Sequence, residues 1–510
     1  MTSDPTSTPR GSVVARLRAF DAAALVAVGT ALALVALLVA TVGHDPAFGV
    51  TRSTSPFSDE GFNAVNARNL ALLGRFSTDG WNLHLVNLPF SLVLAAVFEA
   101  FGAGIVQARL ACIAMVGLTV ALLGIGLRRP FGPWPAALAA LAYATSTLVL
   151  YYGRLVYLED LVSLGLVTGT LALLASRRSP IPSGIVGGVA FAIAIGTKPS
   201  AGFAVAGLLA ALAIVEATHD GWLRRWLAAA GATVIAFGLA WVLVIWLPQR
   251  DAVATDLRIW APITWPSGPG DALQRVVAYL HGSDQDAAIL ESLPLMVLGG
   301  VGVVVSLFRA RQWGPDQRRL VVAAFGWIAA GTLVLLLVSY RPNRYVVPLL
   351  PALAMLGAAG VSELGPMLRP RLGGNAVLAL GLVLALVLAA PGLAAHASWT
   401  ATTPSTLPAS QAKLAAVVPR GAVVVGVDAP TLLMSAPVTT IITREGIPGN
   451  DGDLYTTAGA RWFLALQGRP PAVVTFPAGV WERASLVACA PWFQRVNCLY
   501  HVPCPRQGGG

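Results

Sequence analysis

Eleven long apolar segments, set apart by proline, glycine or short clusters of arginine, constrain the fold of this chain more than any other feature. A helix of about 20 apolar residues crosses the hydrocarbon core of a membrane, and in lipid a backbone satisfies its hydrogen bonds only as a helix or a closed barrel. The sequence therefore predicts a polytopic α-helical membrane protein with about 11 transmembrane helices. The segments lie at about residues 22–42, 106–127, 134–152, 158–175, 184–197, 199–216, 226–248, 293–308, 320–339, 344–362 and 375–394.

The composition agrees with this prediction, since 56% of the 510 residues are hydrophobic and only 11% are charged. A soluble domain carries about 25% charged residues. In a soluble protein the formal net charge of +10 would favour a nucleic-acid partner, but here the arginines lie in short clusters between apolar segments. Such clusters set membrane orientation, so we expect no nucleic-acid partner.

The arginine clusters predict which side of the membrane each loop faces. Cytoplasmic loops carry an excess of Lys and Arg, and the apolar segments between successive clusters come in pairs. Together with Arg10, Arg16 and Arg18 before the first segment, this pattern predicts an N-terminus inside the cytoplasm and a C-terminus outside it. The later clusters are Arg128 with Arg129, Arg177 with Arg178, Arg224 with Arg225, the group Arg309, Arg311, Arg318 and Arg319, and Arg369 with Arg371.

The segment Leu83–Phe101 is also apolar and nearly long enough to span the membrane. A full crossing there would turn every later arginine cluster outward. We therefore predict a re-entrant or interfacial helix within a long outer loop, residues 43–105. Pro89 and Glu99 support this prediction, because a carboxylate in lipid is costly unless protein surrounds it.

The composition changes after Ala395, where short β-rich runs replace the long apolar segments. Residues 1–394 are predicted to form the transmembrane domain, and residues 395–510 a small α/β domain outside the cytoplasm. The predicted elements of that domain are strands at 422–427, 438–442, 472–476 and 498–502 and a helix at 456–468.

Cys489, Cys498 and Cys504 belong to this second domain, where a disulfide is permitted. A Cys489–Cys498 bond is plausible and leaves one thiol over, but connectivity does not follow from sequence. The fourth cysteine, Cys112, lies inside an apolar segment, and no Cys/His spacing indicates a structural zinc.

Two pairs of adjacent acids stand at the outer ends of apolar segments. Asp59 and Glu60 follow Ser58, which would cap a helix running along the outer surface to about Gly74. Two acids in the first turn could simply complement the helix dipole. The second pair, Glu159 and Asp160, stands beside Arg154 and Tyr157. A simple interfacial Arg–Glu anchor is the alternative there. Both pairs fall on the outer side under the arginine-derived topology, which favours one shared site.

Cations occur at the same level. Lys198 interrupts an apolar stretch in "IGTKPS", while Arg341 and Arg344 lie at the lip of a later segment. Arginines at such places are often anchors that reach the interface. A break in a helix at membrane depth, however, usually lines a cavity. Acids together with phosphate-binding cations at an outer lip indicate chemistry on a lipid-linked phosphate.

The ordered set of motifs resembles the GT-C glycosyltransferases that are embedded in membranes. The motifs are "SDEGFNAVNARNL", "QARLACIAMVGL", "GRLVYLEDLVSLGLV", "GTKP" and "RYVVPLLPALAML". The resemblance covers about residues 22–365 and is greatest to the branch holding the dolichyl-phosphate-mannose protein mannosyltransferases and the bacterial aminoarabinose transferases. It therefore implies a GT-C-like fold for the membrane domain.

The resemblance implies roles for individual residues. Asp59 matches the catalytic base, with Glu60 as its structural or acceptor-binding neighbour, and Glu159 with Asp160 matches a second acidic site. The family's "Lys-Pro-Pro" is replaced here by "HLVNLPF". The implied donor-phosphate ligands are Lys198, Arg344 and Arg109, and the candidate substrate-binding residues are Arg154, Tyr157, His84 and Arg341.

The implied activity is transfer of a sugar from a polyprenyl-phosphate donor to an acceptor hydroxyl, with inversion, at the outer face of the plasma membrane. The acceptor can be a glycan, a lipid or a protein. No metal site is assigned, although a divalent metal is allowed as a cofactor. The main alternative is a transporter or lipid flippase, but transporters bind near the bilayer midplane and carry internal repeats, and we find no repeat here. A scaffold whose tail is the working part is the third interpretation.

Overall fold

Seven helices in the described part of the chain are long and apolar enough to cross a membrane in the computed structural model, and four shorter apolar helices accompany them. The helical polytopic class is therefore confirmed, while the exact number of crossings and their orientation stay predictions. The structure describes residues 22–47, 55–81, 87–215, 221–251, 254, 265–281, 292–309, 312–337, 342–372, 374–447, 449–471, 473–492 and 495–503.

The helices follow the predicted apolar segments, with one segment divided. The segment predicted at 134–152 forms two helices, because the chain turns at Thr145 and Ser146. The 3₁₀ stretch Asn343–Leu349 leads into the last but one long helix. The helices are α1 Ala22–Ala40, α2 Ser55–Leu73, α3 Leu88–Phe101, α4 Ile105–Gly126, α5 Arg128–Phe131, α6 Pro133–Ala144, α7 Thr147–Tyr152, α8 Leu158–Ala172, α9 Pro180–Thr197, α10 Ala201–Val215, α11 Gly221–Trp241, α12 Pro269–His281, α13 Leu293–Arg309, α14 Pro315–Leu337, α15 Leu350–Leu372 and α16 Gly374–Thr402.

Helix α3 occupies the segment that we predict to be re-entrant or interfacial. It has 14 residues and starts at Leu88-Pro89, so it is about 21 Å long, short of a hydrocarbon core of about 30 Å. Its buried face carries Phe90, Leu94 and Phe98. The length agrees with the prediction, although the depth of this helix in a membrane stays a prediction.

Glycines set the closest helix contacts in the bundle. A Cβ atom on Gly326 of α14 would lie 2.2 Å from the carbonyl oxygen of Gly207 on α10. A Cβ atom on Gly302 of α13 would lie 1.9 Å from the carbonyl oxygen of Leu356 on α15. Since little hydrophobic force drives helices together in lipid, such close backbone packing supplies much of their attraction.

The last part of the chain folds around a mixed five-stranded sheet with the strand order β2-β1-β3-β5-β4. Strands β2, β1 and β3 run parallel, whereas β5 pairs antiparallel with β3 and β4. The predicted boundary at residue 395 falls inside α16, and it stays a prediction. The elements after α16 are α17 Leu407–Ala415, β1 Val423–Val425, α18 Ala429–Leu432, β2 Thr439–Ile441, α19 Leu454–Thr457, β3 Trp462–Leu466, β4 Ser485–Trp492 and β5 Arg495–His501.

Two element predictions for this region are wrong. Residues 456–468, predicted as a helix, include strand β3. The apolar run of this segment pairs with β1 on one side and β5 on the other and is buried there. Short apolar runs do not distinguish a buried strand from a helix. The predicted strand at 472–476 is interrupted by Val473, whose φ of 58° does not continue an extended chain.

The part of the chain after α16, which we call the sheet region (residues 407–501), shares a hydrophobic core with the membrane helices. Ala64 and Ala67 of α2 and Phe90 of α3 belong to the same buried cluster as Leu433 and Leu499. The carboxylate of Asp45 also accepts hydrogen bonds from the backbone N–H groups of Thr406 (3.1 Å) and Leu407 (3.0 Å) at the start of α17. The two parts are therefore packed together through apolar and polar contacts.

We predict that Gly326→Ala destabilises the protein, because the new Cβ must push α10 away from α14. Overpacking of this kind costs about 1–3 kcal/mol, and we expect a lower melting temperature in detergent. Gly238→Ala in α11 is the matched control, since a Cβ atom at that position would have no heavy atom of another residue within 4 Å. Equal melting temperatures for the two variants would contradict the contact.

A disulfide joins Cys489 of β4 to Cys498, the residue directly opposite on β5. We predict that both sulfurs resist alkylation in the unfolded, unreduced protein and react after reduction. Closing so short a loop contributes about 2–3 kcal/mol, so Cys489→Ser with Cys498→Ser should lower the melting temperature. Free reaction of both sulfurs without a reductant would show that the bond does not form.

Candidate active site

Helix α2 begins at Ser55, three residues before the predicted cap, so its two acids lie in the second turn. Neighbouring helix residues point about 100° apart, and the two carboxylates accordingly have different surroundings. Glu60 is fully buried, whereas the Asp59 side chain keeps 21% of its exposure. Of the two, only Asp59 is therefore accessible to a substrate.

Glu60 forms a two-pronged ion pair with Arg109 of α4. The Nε atom of Arg109 donates to Oε1 at 2.8 Å, and its Nη2 atom donates to Oε2 at 2.6 Å. Oε1 also accepts a hydrogen bond from the backbone N–H of Val156. The Nη1 atom of Arg109 donates to the carbonyls of Val42 and His44. The Arg109 guanidinium is therefore committed to protein groups and does not face the open part of the site.

Asp59 pairs with Arg344, whose Nη2 atom lies 2.9 Å from Oδ2. Burial raises the pKa of the Asp59 carboxyl, and the Arg344 guanidinium acts in the opposite direction; the nearby Glu159 carboxylate raises it further. The resulting group has a pKa above that of an ordinary aspartate, while Arg344 limits the increase.

Glu159 connects the two cations of the site. Its Oε1 atom lies 2.5 Å from Lys198 Nζ and 3.8 Å from Arg344 Nε. Burial lowers the pKa of Lys198, and the Glu159 carboxylate opposes this change. Tyr345 supports both cations, since its ring centroid lies 3.7 Å from Lys198 Nζ and 5.5 Å from Arg344 Cζ. Asp59, Glu159, Lys198 and Arg344 thus form one contact cluster.

Asp160, the neighbour of Glu159 on α8, is also buried, and within the described ranges it forms no ion pair with either cation. Its Oδ2 atom has no hydrogen-bond partner within the described ranges. Tyr157 lies under Arg344, with 5.1 Å between Arg344 Cζ and the ring centroid. The second acidic pair therefore contributes Glu159, rather than both residues, to the contact cluster.

Arg154 is engaged elsewhere. Its Nη1 and Nη2 atoms donate to the carbonyls of His44 (2.6 Å) and Asp45 (3.0 Å), and its Cζ lies 4.6 Å from the Trp399 ring centroid. We expected Arg154 to bind substrate, but the structure packs it against the turn that precedes α2. His84 and Arg341, the other candidate substrate-binding residues, lie outside the described residues.

The surface position predicted for α2 is wrong for residues 63–69, which are all buried. Arg68 and Asn69 are fully buried there, under the sheet region. Sequence analysis missed the role of Arg68, because its partners lie more than 360 residues away. It also missed Tyr345, although the adjacent position of Arg344 was a signal for an aromatic support.

Within the described ranges, no group of three or more His, Cys, Asp or Glu side chains is arranged to hold a metal ion. The two carboxylates of the contact cluster instead pair with Arg344 and Lys198. The arrangement offers one partly exposed carboxylate that can accept a proton and two cations that can bind an anion.

Known proteins share this architecture. Residues 88–246 match the family model described as dolichyl-phosphate-mannose-protein mannosyltransferase. No curated protein sequence matches the chain.

Solved structures match over most of the chain. ArnT from Cupriavidus metallidurans bound to undecaprenyl phosphate is 15% identical, with a TM-score of 0.62 over 93% of this chain and 97% of that one. The oligosaccharyltransferase from Archaeoglobus fulgidus in the apo form is 12% identical, with a TM-score of 0.53 over 86% of this chain and 69% of that one. Arabinofuranosyltransferase AftD from Mycobacteria is 15% identical, with a TM-score of 0.50 over 94% of this chain and 40% of that one.

At these identities the likeness to solved structures shows the fold. The resemblance described from the motifs is confirmed: the chain has the fold of the GT-C glycosyltransferases and resembles the branch that holds the dolichyl-phosphate-mannose protein mannosyltransferases and ArnT.

Proposed function

We propose that the protein transfers a sugar from a polyprenyl-phosphate donor to an acceptor hydroxyl at the outer face of the plasma membrane. The observation that carries the proposal is the contact cluster itself: the partly exposed carboxylate of Asp59 lies against Arg344, which also reaches Glu159, and Glu159 in turn pairs with Lys198. The shared fold supports it, because ArnT of that fold is described with undecaprenyl phosphate bound.

Lys198 and Arg344 are the proposed ligands of the donor phosphate. An isolated buried cation would be costly, and here each one pairs with a carboxylate, Lys198 with Glu159 and Arg344 with Asp59. The donor is a phosphodiester with one negative charge, and the polyprenyl phosphate that is released is a more highly charged monoester, so both can compete for these cations through charge-assisted hydrogen bonds. We reassign Arg109 to a structural role, because Glu60 and two backbone carbonyls occupy its donors.

Asp59 is the proposed general base. The acceptor hydroxyl gives its proton to an Oδ atom of Asp59 as its oxygen bonds to the anomeric carbon. The bond between that carbon and the phosphate oxygen breaks, and its electron pair stays with the phosphate. Lys198 and Arg344 stabilise the charge of the departing polyprenyl phosphate. Attack opposite the leaving group inverts the anomeric configuration.

The sugar can be a hexose or a pentose under this proposal, and the acceptor a glycan, a lipid or a protein. The mechanism requires only a hydroxyl that reaches Asp59 and an anomeric carbon held beside the two cations. Glu60 does not act on substrate in this scheme, because it is sealed behind its ion pair.

We predict that the purified protein in proteoliposomes binds undecaprenyl phosphate and that Lys198→Met and Arg344→Gln each weaken binding about 10- to 100-fold, the range for losing a charged hydrogen bond. Lys413→Met is the matched control, since Lys198 and Lys413 are the two lysines of the chain and Lys413 is exposed. Unchanged affinity in both site variants would exclude this phosphate site.

We predict that Asp59→Asn lowers sugar transfer about 10²- to 10⁴-fold, the contribution of a positioned base, while undecaprenyl phosphate still binds. Release of undecaprenyl phosphate from a panel of undecaprenyl-phosphate-linked sugars measures the rate. Asp251→Asn is the control, because that side chain is 96% exposed. Transfer at the wild-type rate by Asp59→Asn would reject the base assignment.

The same assay has a predicted pH dependence. Activity should fall as the pH drops through the raised pKa of Asp59, because protonation removes the base. Since Arg344 lowers that pKa, Arg344→Gln should move the acidic limb to higher pH. A limb that stays at the wild-type position in Arg344→Gln would show that another group titrates.

A further inference from the structure

The second half of helix α2 is held by the sheet region through a cage of backbone carbonyls around Arg68. The Nε atom of Arg68 donates to the carbonyls of Leu433 (3.2 Å) and Met434 (3.1 Å). Its Nη2 atom donates to the carbonyls of Ala436 and Val438, the latter at 2.9 Å. One fully buried guanidinium thus binds the whole turn between α18 and β2.

This cage fixes the position and rotation of α2 relative to the turn that carries the carbonyls. A guanidinium presents its donors in a rigid plane, so it binds these carbonyls at one distance and one rotation of the helix. Burial lowers the pKa of Arg68 to about 10, and the group therefore remains charged at neutral pH. A buried charge without these acceptors would be strongly destabilising, which makes the arrangement specific.

A second contact lies beside the candidate base. The backbone N–H of Gly61 donates to Thr431 Oγ1 at 3.1 Å. A Cβ atom on Gly61 would lie 2.2 Å from that oxygen and 2.3 Å from the Thr431 nitrogen. Helices α2 and α18 therefore touch backbone to backbone two residues after Asp59.

Another side of α2 is held by the membrane helices through the Glu60–Arg109 pair. Asp59 immediately precedes Glu60 in α2. It is nine residues from Arg68, about 13 Å along the axis and roughly half a turn around it. A rotation of α2 by about 10–20° would move the Asp59 carboxylate by about 1–2 Å, which exceeds the tolerance of about 0.5 Å for a productive catalytic geometry.

We propose that the sheet region is a positioning element for catalysis, and that Arg68 and Thr431 are its positioning residues. They set the rotation of α2 and hence the distance from Asp59 to Arg344 and to the acceptor hydroxyl. The inference rests on the proposed function, since it gives a reason for the exact placement of the base. Under this proposal, catalysis requires Arg68 and Thr431 although neither residue touches the substrate.

The test is Arg68→Met, which keeps the length and apolar stem of the side chain but removes its donors. A misplacement of about 1 Å can cost about 100-fold in rate, so we expect the kcat of sugar release to fall about 10- to 100-fold. The KM for the donor and the affinity for undecaprenyl phosphate should stay at wild-type values, because Lys198 and Arg344 are unchanged. Arg68→Lys should recover part of the kcat.

Arg75→Met is the matched control. Arg75 also reaches the sheet region, through a hydrogen bond of 2.5 Å from Nη2 to Thr439 Oγ1, but this contact is exposed. We expect wild-type kcat and KM. If Arg68→Met folds poorly, Thr431→Val keeps the shape of the side chain and removes the hydroxyl that accepts from the Gly61 N–H and donates to the Ser58 carbonyl. It should lower kcat with an unchanged KM.

Hydrogen exchange separates failure of this inference from failure of the proposed function. Faster exchange of the α2 amides at residues 60–66 in Arg68→Met, with unchanged exchange in α4, is expected whether or not sugar is transferred. Wild-type exchange and wild-type kcat in both Arg68→Met and Thr431→Val would overturn the positioning role. Equal losses of kcat and undecaprenyl phosphate affinity would overturn it as well, because they indicate general unfolding. Activity that survives Asp59→Asn rejects the base alone.

Discussion

The buried ion pair between Glu60 and Arg109 is the constraint on which the site depends. Taking both charges out of water is costly, and removing one partner of such a pair typically destabilises a protein by about 3–5 kcal/mol. The two-pronged geometry therefore ties the first half of α2 to α4, and in our proposal Arg68 and Thr431 complete the orientation of the helix. Because adjacent helix residues cannot share a direction, Asp59 is turned out toward Arg344.

Arg109 also holds the turn at residues 42–45 in place. It donates to the carbonyls of Val42 and His44, and Arg154 donates to the same turn from another side. The next residue, Asp45, accepts the backbone N–H groups at the start of α17. Cations at this end of the bundle thus divide into two kinds. Arg109, Arg154 and Arg68 hold backbone, and Lys198 and Arg344 face the carboxylates of the contact cluster.

Sequence reasoning predicted the long apolar helices, because apolar length is a local property of the chain. The orientation derived from the arginine clusters stays a prediction. The same topology predicted that Asp59, Glu159, Lys198 and Arg344 share one level, and the structure brings these four side chains into contact. What each of them does in a reaction stays a proposal.

Three features of the structure could not be predicted from the sequence, each for a physical reason. The pairing of Glu60 with Arg109 depends on the angle between two helices, and no spacing rule connects residues 49 positions apart. Strand β3 reads as a helix because its apolar residues are buried between two strands that lie far from it in sequence. The burial of Arg68 could not be predicted, since the carbonyls that surround it belong to a turn more than 360 residues away.

The contact between α2 and the turn at 433–438 joins residues separated by about 366 positions. Synthesis proceeds from the N-terminus, and a chain folds as its segments emerge. Helix α2 is made before helices α3 to α16, and the carbonyls that surround Arg68 follow those helices in the chain. The nascent chain therefore holds α2 without this attachment until residues 433–438 have been synthesised. Under the proposed function, a product truncated before that turn would lack the contact that orients Asp59.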